Sequence, residues 1–398
     1  RFSPLPAPTL HTAPYSQHTM RSTLLLSLGS SLLLPATLLS AAQPLPERRP
    51  NILLFLVDDM GWQDTSVPFG GDTTALNRRY HTPAMERLAR RGVRFTDAYA
   101  APVSSPSRCS LLTGAHAARH RVTNWTLRYD TPSDQADSTL QAPEWNVNGL
   151  SPRPDTPHTY YARMLPELLR AAGYHTIHCG KAHFGAIGTP AADPLQLGFE
   201  VNIAGHAAGG PASFLGRARY GHDSLGKPVS LMSVPGLERY WDTDTYLSEA
   251  LTLEAIQALR AQRSAGDRRP FFLYMSHYAV HVPFDRDQRF YQRYLDEGLD
   301  PKEAAYAALV EGMDKSLGDL MDELERAGQL DDTLILFMSD NGGLAASAYW
   351  HSGQLHWQNA PLYSGKGSVY EGGIRVPLIV AGPGVVGRDR RDSHPVMI

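Results

Sequence analysis

Five short apolar runs punctuate the chain: NILLFLV (51–57), HTIHC (175–179), FFLYM (271–275), TLILFM (333–338) and PLIVA (377–381). Continuous runs of this kind suit strands covered on both faces, as in a parallel sheet. Helical spacing falls between them. Thr82-Pro83 offers a cap with proline in the first turn, and Gly92 closes that helix. In MLPELLRAAGY, Leu165, Leu168 and Leu169 share one stripe, with Gly173 at its end. TYLSEALTLEAIQALRAQR (245–263) and YAALVEGMDKSLGDLMDELERAG (306–328) read as longer amphipathic helices. Strands alternating with helices predict an α/β fold with a largely parallel sheet. Three stretches, 121–160, 203–240 and 344–364, have weak periodicity and are rich in Gly, Pro, His and Trp. Loops this long in a compact domain are usually functional or local excursions.

With 398 residues, 42% of them hydrophobic and 19% charged, the composition is that of an ordinary globular protein of one large or two smaller domains. The net charge is −3, and it becomes −5 without the first 42 residues, from 35 basic and 40 acidic side chains. That balance argues against a nucleic-acid or polyanion surface. An anionic substrate would need local positive charge in a cleft. Residues 20–42, MRSTLLLSLGSSLLLPATLLSAA, open on Met-Arg, continue as a short apolar stretch and end in small residues suited to signal peptidase. Ser, Gly and Pro interrupt the stretch, which argues against a membrane span. The expectation is a signal peptide and export to a periplasm or beyond, with no other membrane contact. Residues 1–19 then read as a disordered upstream extension, 43–50 as a Pro-rich linker and 51–398 as the folded domain. Cys109 and Cys179 are too few for a disulfide framework and are expected to be buried thiols.

The chemistry follows the apolar runs. The first ends in Asp58-Asp59 and the fourth leads into Asp340-Asn341. In open α/β sheets ligands bind beyond the carboxyl ends of the strands. Three carboxylates and an amide oxygen gathered there are costly unless a cation neutralises them. An all-oxygen set selects a hard ion, calcium or magnesium rather than zinc. Either pair alone is more often a solvated turn at a strand end. GKAHFG adds Lys181 and His183, SHYAVHVPF adds His277 and His281, and SGKGSVYEGG presents Lys366 between glycines. Cations at further strand ends suit an oxyanion. SSPSRCSLLTG (104–114) has helical apolar spacing, placing Ser104 near a helix N-terminus that favours an anion. Arg108, one turn on, can reach back to it.

On these residues the chain resembles the type I, formylglycine-dependent sulfatases. Ser104, Pro106, Ser107, Arg108 and LLTG match the family signature position by position, whereas Cys109 is followed at the corresponding places by Leu111 and Thr113. The likeness runs over roughly 50–390 and includes LPELLRAAGYHT, GKAHFG, DKSLGDLMDELERAG and SDNGG. It implies an alkaline-phosphatase-like fold, a large, mostly parallel mixed sheet sandwiched by helices. It also implies a smaller C-terminal domain that would begin where this sequence stops, so a truncated catalytic domain is expected. Ser104 would be oxidised to formylglycine by a radical-type maturase. Asp58, Asp59, Asp340 and Asn341, with residue 104, would hold calcium, magnesium being possible chemically. Arg108 and Lys181 would stabilise the hydrate and the sulfate oxygens, and His183 would assist elimination. His281 would protonate the leaving oxygen, and Lys366 would clamp sulfate. His277 falls on no family position and reads as structural. Trp125, Trp145, Trp350 and Trp357, with His206, His222, His351 and His356 nearby, suit sugar rings or else simply pack the loops. GHAAGGPASF and VPGLERY resemble bacterial carbohydrate sulfatases, with a lean toward galactose or N-acetylgalactosamine units. Two other functions stay open. One is a phosphohydrolase on the same scaffold using unmodified Ser104. The other is an inactive carbohydrate-binding remnant.

Overall fold

The structure is a computed structural model describing residues 49–345, 351 and 357–398. The expected signal peptide, the upstream extension, most of the linker, Trp350 and His356 lie outside the described residues. Among the described residues an eight-stranded sheet is built from β1 (Asn51–Val57), β2 (Val93–Phe95), β3 (His175–Gly180), β4 (Val201–Ile203), β5 (Phe271–Ser276), β6 (Thr333–Ser339), β7 (Leu378–Ala381) and β8 (Arg390–Asp392). Their order across the sheet is β8-β2-β7-β6-β1-β5-β3-β4. β1 lies parallel to both β5 and β6, and β3 parallel to β5 and β4. β7 runs antiparallel to β6 and β2, so the sheet is mixed but mostly parallel, as expected. The five apolar runs all became strands. The three-residue strands β2, β4 and β8 are too short to show any periodicity.

Helices cover both faces, and strand alternation decides which residue meets which layer. Leu53, Phe55 and Val57 of β1 join Leu273, Met275 and Phe337 in one core with α1 (Pro83–Arg91), α4 (Leu247–Ser264) and α5 (Pro301–Arg326). Leu54 and Leu56 join Phe272, Tyr274 and Met338 in a second core. There they meet Cys109 and Leu112 of α2 (Ser104–Thr113) and Leu165 and Leu169 of α3 (Leu165–Ala171). Burial of both faces is why these strands carry continuous apolar runs. Cys109 and Cys179 are buried free thiols in opposite cores.

Three local expectations need correction. Leu168 does not join its stripe: it is 45% exposed, and Leu165 and Leu169, one turn apart, make the contact. Helix α5 starts five residues earlier than its apolar pattern, because Asp300 accepts from Lys302 N–H and Glu303 N–H and Pro301 fits the first turn. Thr82 does not cap α1 with its side chain, its hydroxyl being engaged with Thr65 and Ser66. The free amides of Ala84 and Met85 donate instead to the Asp314 carboxylate of α5, both at 2.8 Å.

Candidate active site

Strands β6, β1, β5 and β3 are adjacent and parallel, so their carboxyl ends share one edge of the sheet. Asp340-Asn341, Asp58-Asp59, His277 and Lys181 leave that edge in turn. Backbone bonds knit the exits together: Asp58 N–H donates to the Ala279 carbonyl (2.9 Å), Asp340 N–H to that of Val57 (3.0 Å) and Lys181 N–H to that of Ser276 (2.8 Å). One carboxylate oxygen from each of Asp58, Asp59 and Asp340 lies within 4.8 Å of the others, and all three side chains are buried. Asp59 holds a left-handed backbone (φ 61°), uncommon for a residue with a Cβ.

Ser104 is the first residue of α2 and brings its hydroxyl to this cluster. Its Oγ lies 3.0 Å from Asp58 Oδ1 and 3.3 Å from Asn341 Oδ1, both acceptors. Lys181 Nζ donates to the same oxygen at 3.0 Å and to Asp58 Oδ2 at 2.6 Å. Arg108, fully buried one turn further on, does not reach back to Ser104. It donates to Asp340 Oδ2 from Nε (3.0 Å) and Nη2 (2.8 Å), and from Nη1 to Ser276 Oγ (2.6 Å) and the Lys181 carbonyl (3.1 Å). The sequence offered no signal for Ser276.

Each carboxylate is paired with one cation, Asp58 with Lys181, Asp59 with Lys366 and Asp340 with Arg108. Burial pushes Asp58 up to about 8 despite Lys181, with Asp340 and Asp59 adding to the rise. Burial likewise pulls Lys181 down to about 8 against the attraction of Asp58. At Asp59 burial is outweighed by Lys366, His281 and Lys181, which hold it below its ordinary range. At Asp340 burial is outweighed by Arg108 and Lys181. Three buried carboxylates whose oxygens gather at one point are a donor set that suits a hard cation.

Above Ser104 opens a cavity of about 240 Å³ lined by Val103, Trp125, Thr126, Leu127, Gly209, Gly210 and Met232, with His183, His281 and Lys366. Lys366 Nζ donates to Asp59 Oδ2 (2.7 Å), and His281 Nε2 lies 3.7 Å from that oxygen. The two imidazoles are each anchored on a backbone carbonyl: His183 Nε2 on Thr126 (2.8 Å) and His281 Nδ1 on Val282 (2.7 Å). A carbonyl only accepts, so the proton sits on Nε2 of His183 and on Nδ1 of His281. Among the described residues His183 Nδ1 is left buried and without a partner. Burial lowers both rings, His183 well below its ordinary range with help from Lys181, and His281 to about 3 with help from Lys366.

Every proposed site residue thus converges on one edge of the sheet. His277 stands apart, buried with Nε2 beside Ser316 Oγ (2.9 Å). Of the aromatic set, Trp125 reaches the cavity and is 42% exposed. Trp145 is buried and donates to Asp134 (2.7 Å), His222 packs on Trp241, His206 on Tyr278, and His351 pairs with Glu303 of α5. Gly209, Gly210, Thr126 and Met232 line the cavity without having been singled out as site residues; only the unusual glycine pair in GHAAGG could have drawn notice.

A family model described as Sulfatase matches residues 50–397. The chain is 31% identical over 363 residues to the N-acetylgalactosamine-6-sulfatase of Mus musculus, covering 87% of this chain and 59% of that protein. It is 29% identical to a sulfatase of Formosa agariphila, covering 89% and 67%. Against the crystal structure of Ps i-CgsB it has a TM-score of 0.68 at 28% identity, covering 88% of this chain and 69% of that one. The same protein has been solved in complex with k-i-k-neocarrahexaose. A phosphonate monoester hydrolase of Agrobacterium radiobacter shares the fold at 21% identity and a TM-score of 0.54. The chain spans about three-fifths of the length of its mammalian relatives, 59% of the mouse protein and 61% of the Rattus norvegicus one.

Proposed function

Because the chain belongs to the sulfatase family, we propose that it is a sulfuric ester hydrolase releasing inorganic sulfate from a sulfated carbohydrate. The observation that carries this reading is Ser104 Oγ, held between the Lys181 ammonium and the acceptors of Asp58 and Asn341 on the floor of a cavity walled by His183, His281 and Lys366. Residue 104 would be converted to formylglycine by a radical-type maturase, the family signature around it being that of a serine-type precursor. The hydrated aldehyde supplies the nucleophilic oxygen and a second hydroxyl for later release of sulfate. Asp58, Asp59, Asp340 and Asn341 would hold calcium, which supplies Lewis-acid neutralisation of sulfate charge. Their hard-oxygen chemistry and close gathering support that choice.

The remaining work belongs to the protein's own side chains. Lys181 holds the oxygen at position 104 by donating to it. Arg108, spent on Asp340 and Ser276, orients that carboxylate rather than touching sulfate. Lys366, on the cavity wall, neutralises sulfate oxygens. As the sulfur–oxygen ester bond breaks, His281 delivers a proton from Nε2 to the departing sugar oxygen, Nδ1 remaining tied to Val282. The incoming sulfate anion offsets the burial that otherwise keeps this ring neutral. His183, its Nε2 proton fixed on Thr126, presents Nδ1 as a proton acceptor. Trp125 offers an aromatic face to a sugar ring. The names of the N-acetylgalactosamine-6-sulfatase relatives and the k-i-k-neocarrahexaose bound to Ps i-CgsB support a galactose-type or N-acetylgalactosamine unit. The signal-like stretch at 20–42 supports export to a periplasm or beyond.

The test is mass spectrometry of the peptide containing residue 104, from a host supplying the maturase, together with sulfate release from defined sugar sulfates. The expected peptide is lighter by two hydrogens, and Ser104→Ala abolishes release. An unmodified serine coupled to phosphate-ester turnover would establish the phosphohydrolase reading instead. Sugar binding with neither activity would establish the remnant.

A further inference from the structure

Three glycines of GHAAGG (205–210) each lie against a histidine. A Cβ built on Gly205 would stand 2.5 Å from His178 Cε1. One on Gly209 would stand 2.3 Å from His183 Cε1 and 2.7 Å from its Nδ1, and one on Gly210 would stand 2.8 Å from His281 Cε1 and 2.9 Å from its Nδ1. Real Cβ atoms essentially never approach closer than 3.0 Å. Neither Gly209 nor Gly210 has a left-handed backbone, so it is the facing ring, not the local φ, that demands glycine.

We propose that Gly209 and Gly210 are positioning residues, a strip of bare backbone that presses the imidazoles of His183 and His281 onto their carbonyl anchors. His183 has little room to retreat. It is 3% exposed, its own φ is 57°, its Nε2 is bonded to Thr126, and its backbone N–H donates to the His206 carbonyl (3.2 Å) of the same glycine-containing segment. His281 is held between Val282 on one side and the Asp59–Lys366 pair on the other. Any methyl added at 209 or 210 rotates the ring off its carbonyl. The carbonyl is what decides which ring nitrogen carries the proton, so the wrong nitrogen then faces the cavity. Gly205 provides an internal control: His178, which it abuts, is buried and does not line the cavity.

The kinetic part of the test rests on the sulfatase reading; the structural part does not. In the full chain, Gly210→Ala should lower kcat roughly a hundredfold on sugar sulfates, the scale of a lost general acid, with KM little changed and nitrophenyl sulfate affected by no more than about threefold. The same loss on both esters would overturn the proposal. Imidazole nitrogen NMR should find the proton on Nε2 of His183 and Nδ1 of His281 in the parent, and lose the first signature in Gly209→Ala and the second in Gly210→Ala. Unchanged signatures in the variants, or opposite ones in the parent, would also overturn it. Should either variant fail to fold, removing the struck ring should restore folding in Gly209→Ala/His183→Ala and Gly210→Ala/His281→Ala. Double variants as unstable as the single ones would count against the contact. Gly205→Ala should lower the melting temperature and leave the dependence on leaving group unchanged; a shifted dependence would mean that the segment acts as a whole.

Discussion

Asp340 illustrates how residues at this site depend on one another. Its Oδ2 takes both contacts from Arg108, and its Oδ1 accepts from Asp59 N–H at 3.2 Å. Asp340→Ala would leave the Arg108 guanidinium buried without its partner, costing about 3 kcal/mol by denaturant unfolding in addition to activity. Asp340→Asn keeps an acceptor for Arg108. It should fold with a smaller loss yet lose at least about a hundredfold in turnover, a scale set by removing one charge-stabilising group. Near-parental turnover of the Asn variant would remove Asp340 from the site. Cys109, beside Arg108 in sequence, points the other way. Its Sγ lies in the second core, 3.8 Å from the Phe184 carbonyl, and burial raises its thiol far above reactivity. Cys109→Ser should cost roughly 1 kcal/mol of stability and leave turnover largely intact. Complete loss of turnover in a folded variant would make the thiol chemical after all.

The elements explain which parts of the molecule could be read directly. Strands β1, β3, β5, β6 and β7 announced themselves because burial on both faces requires unbroken apolar runs. The strand ends named most of the site for the same reason, since parallel neighbours share one carboxyl edge. Helix boundaries were less legible. The cap of α1 comes from Asp314, 230 residues away, and no local pattern around Thr82 could announce it. Burial raises Asp314 to about 7, against the pull of the Ala84 and Met85 amides. Its folded value thus lies above its unfolded one, so its contribution to stability is full at acid pH and is lost as pH rises from about 4 through 7. Asp314→Ala should lower stability by about 1 kcal/mol through loss of the cap and flatten that decline. Melting curves across pH 4–8 check both (a window of roughly this width spans the titration). An unchanged slope would assign the decline to other groups.

At the scale of the whole molecule, a cation at the Asp58–Asp59–Asp340 cluster would bind the folded chain alone, because unfolding scatters ligands that are almost 300 residues apart in sequence. Chelation should therefore lower the melting temperature; calcium at a hundredfold excess over its Kd should return about 2.7 kcal/mol of stability, and the same concentration of zinc should return less. A larger shift with zinc, seen by calorimetry, would contradict the hard-oxygen assignment. The order of residues alone was enough for five strands of the sheet, their two-sided burial and the residue types at the carboxyl edge, because these follow from local periodicity and from where apolar runs stop. Only tertiary packing assigned Arg108 to Asp340 and Ser276, gave α1 its cap, chose Trp125 over Trp145 for the cavity and set two glycines against two imidazoles. Such pairings join segments far apart in the chain, and their partners are selected by register and close packing, to which no short stretch of sequence is sensitive.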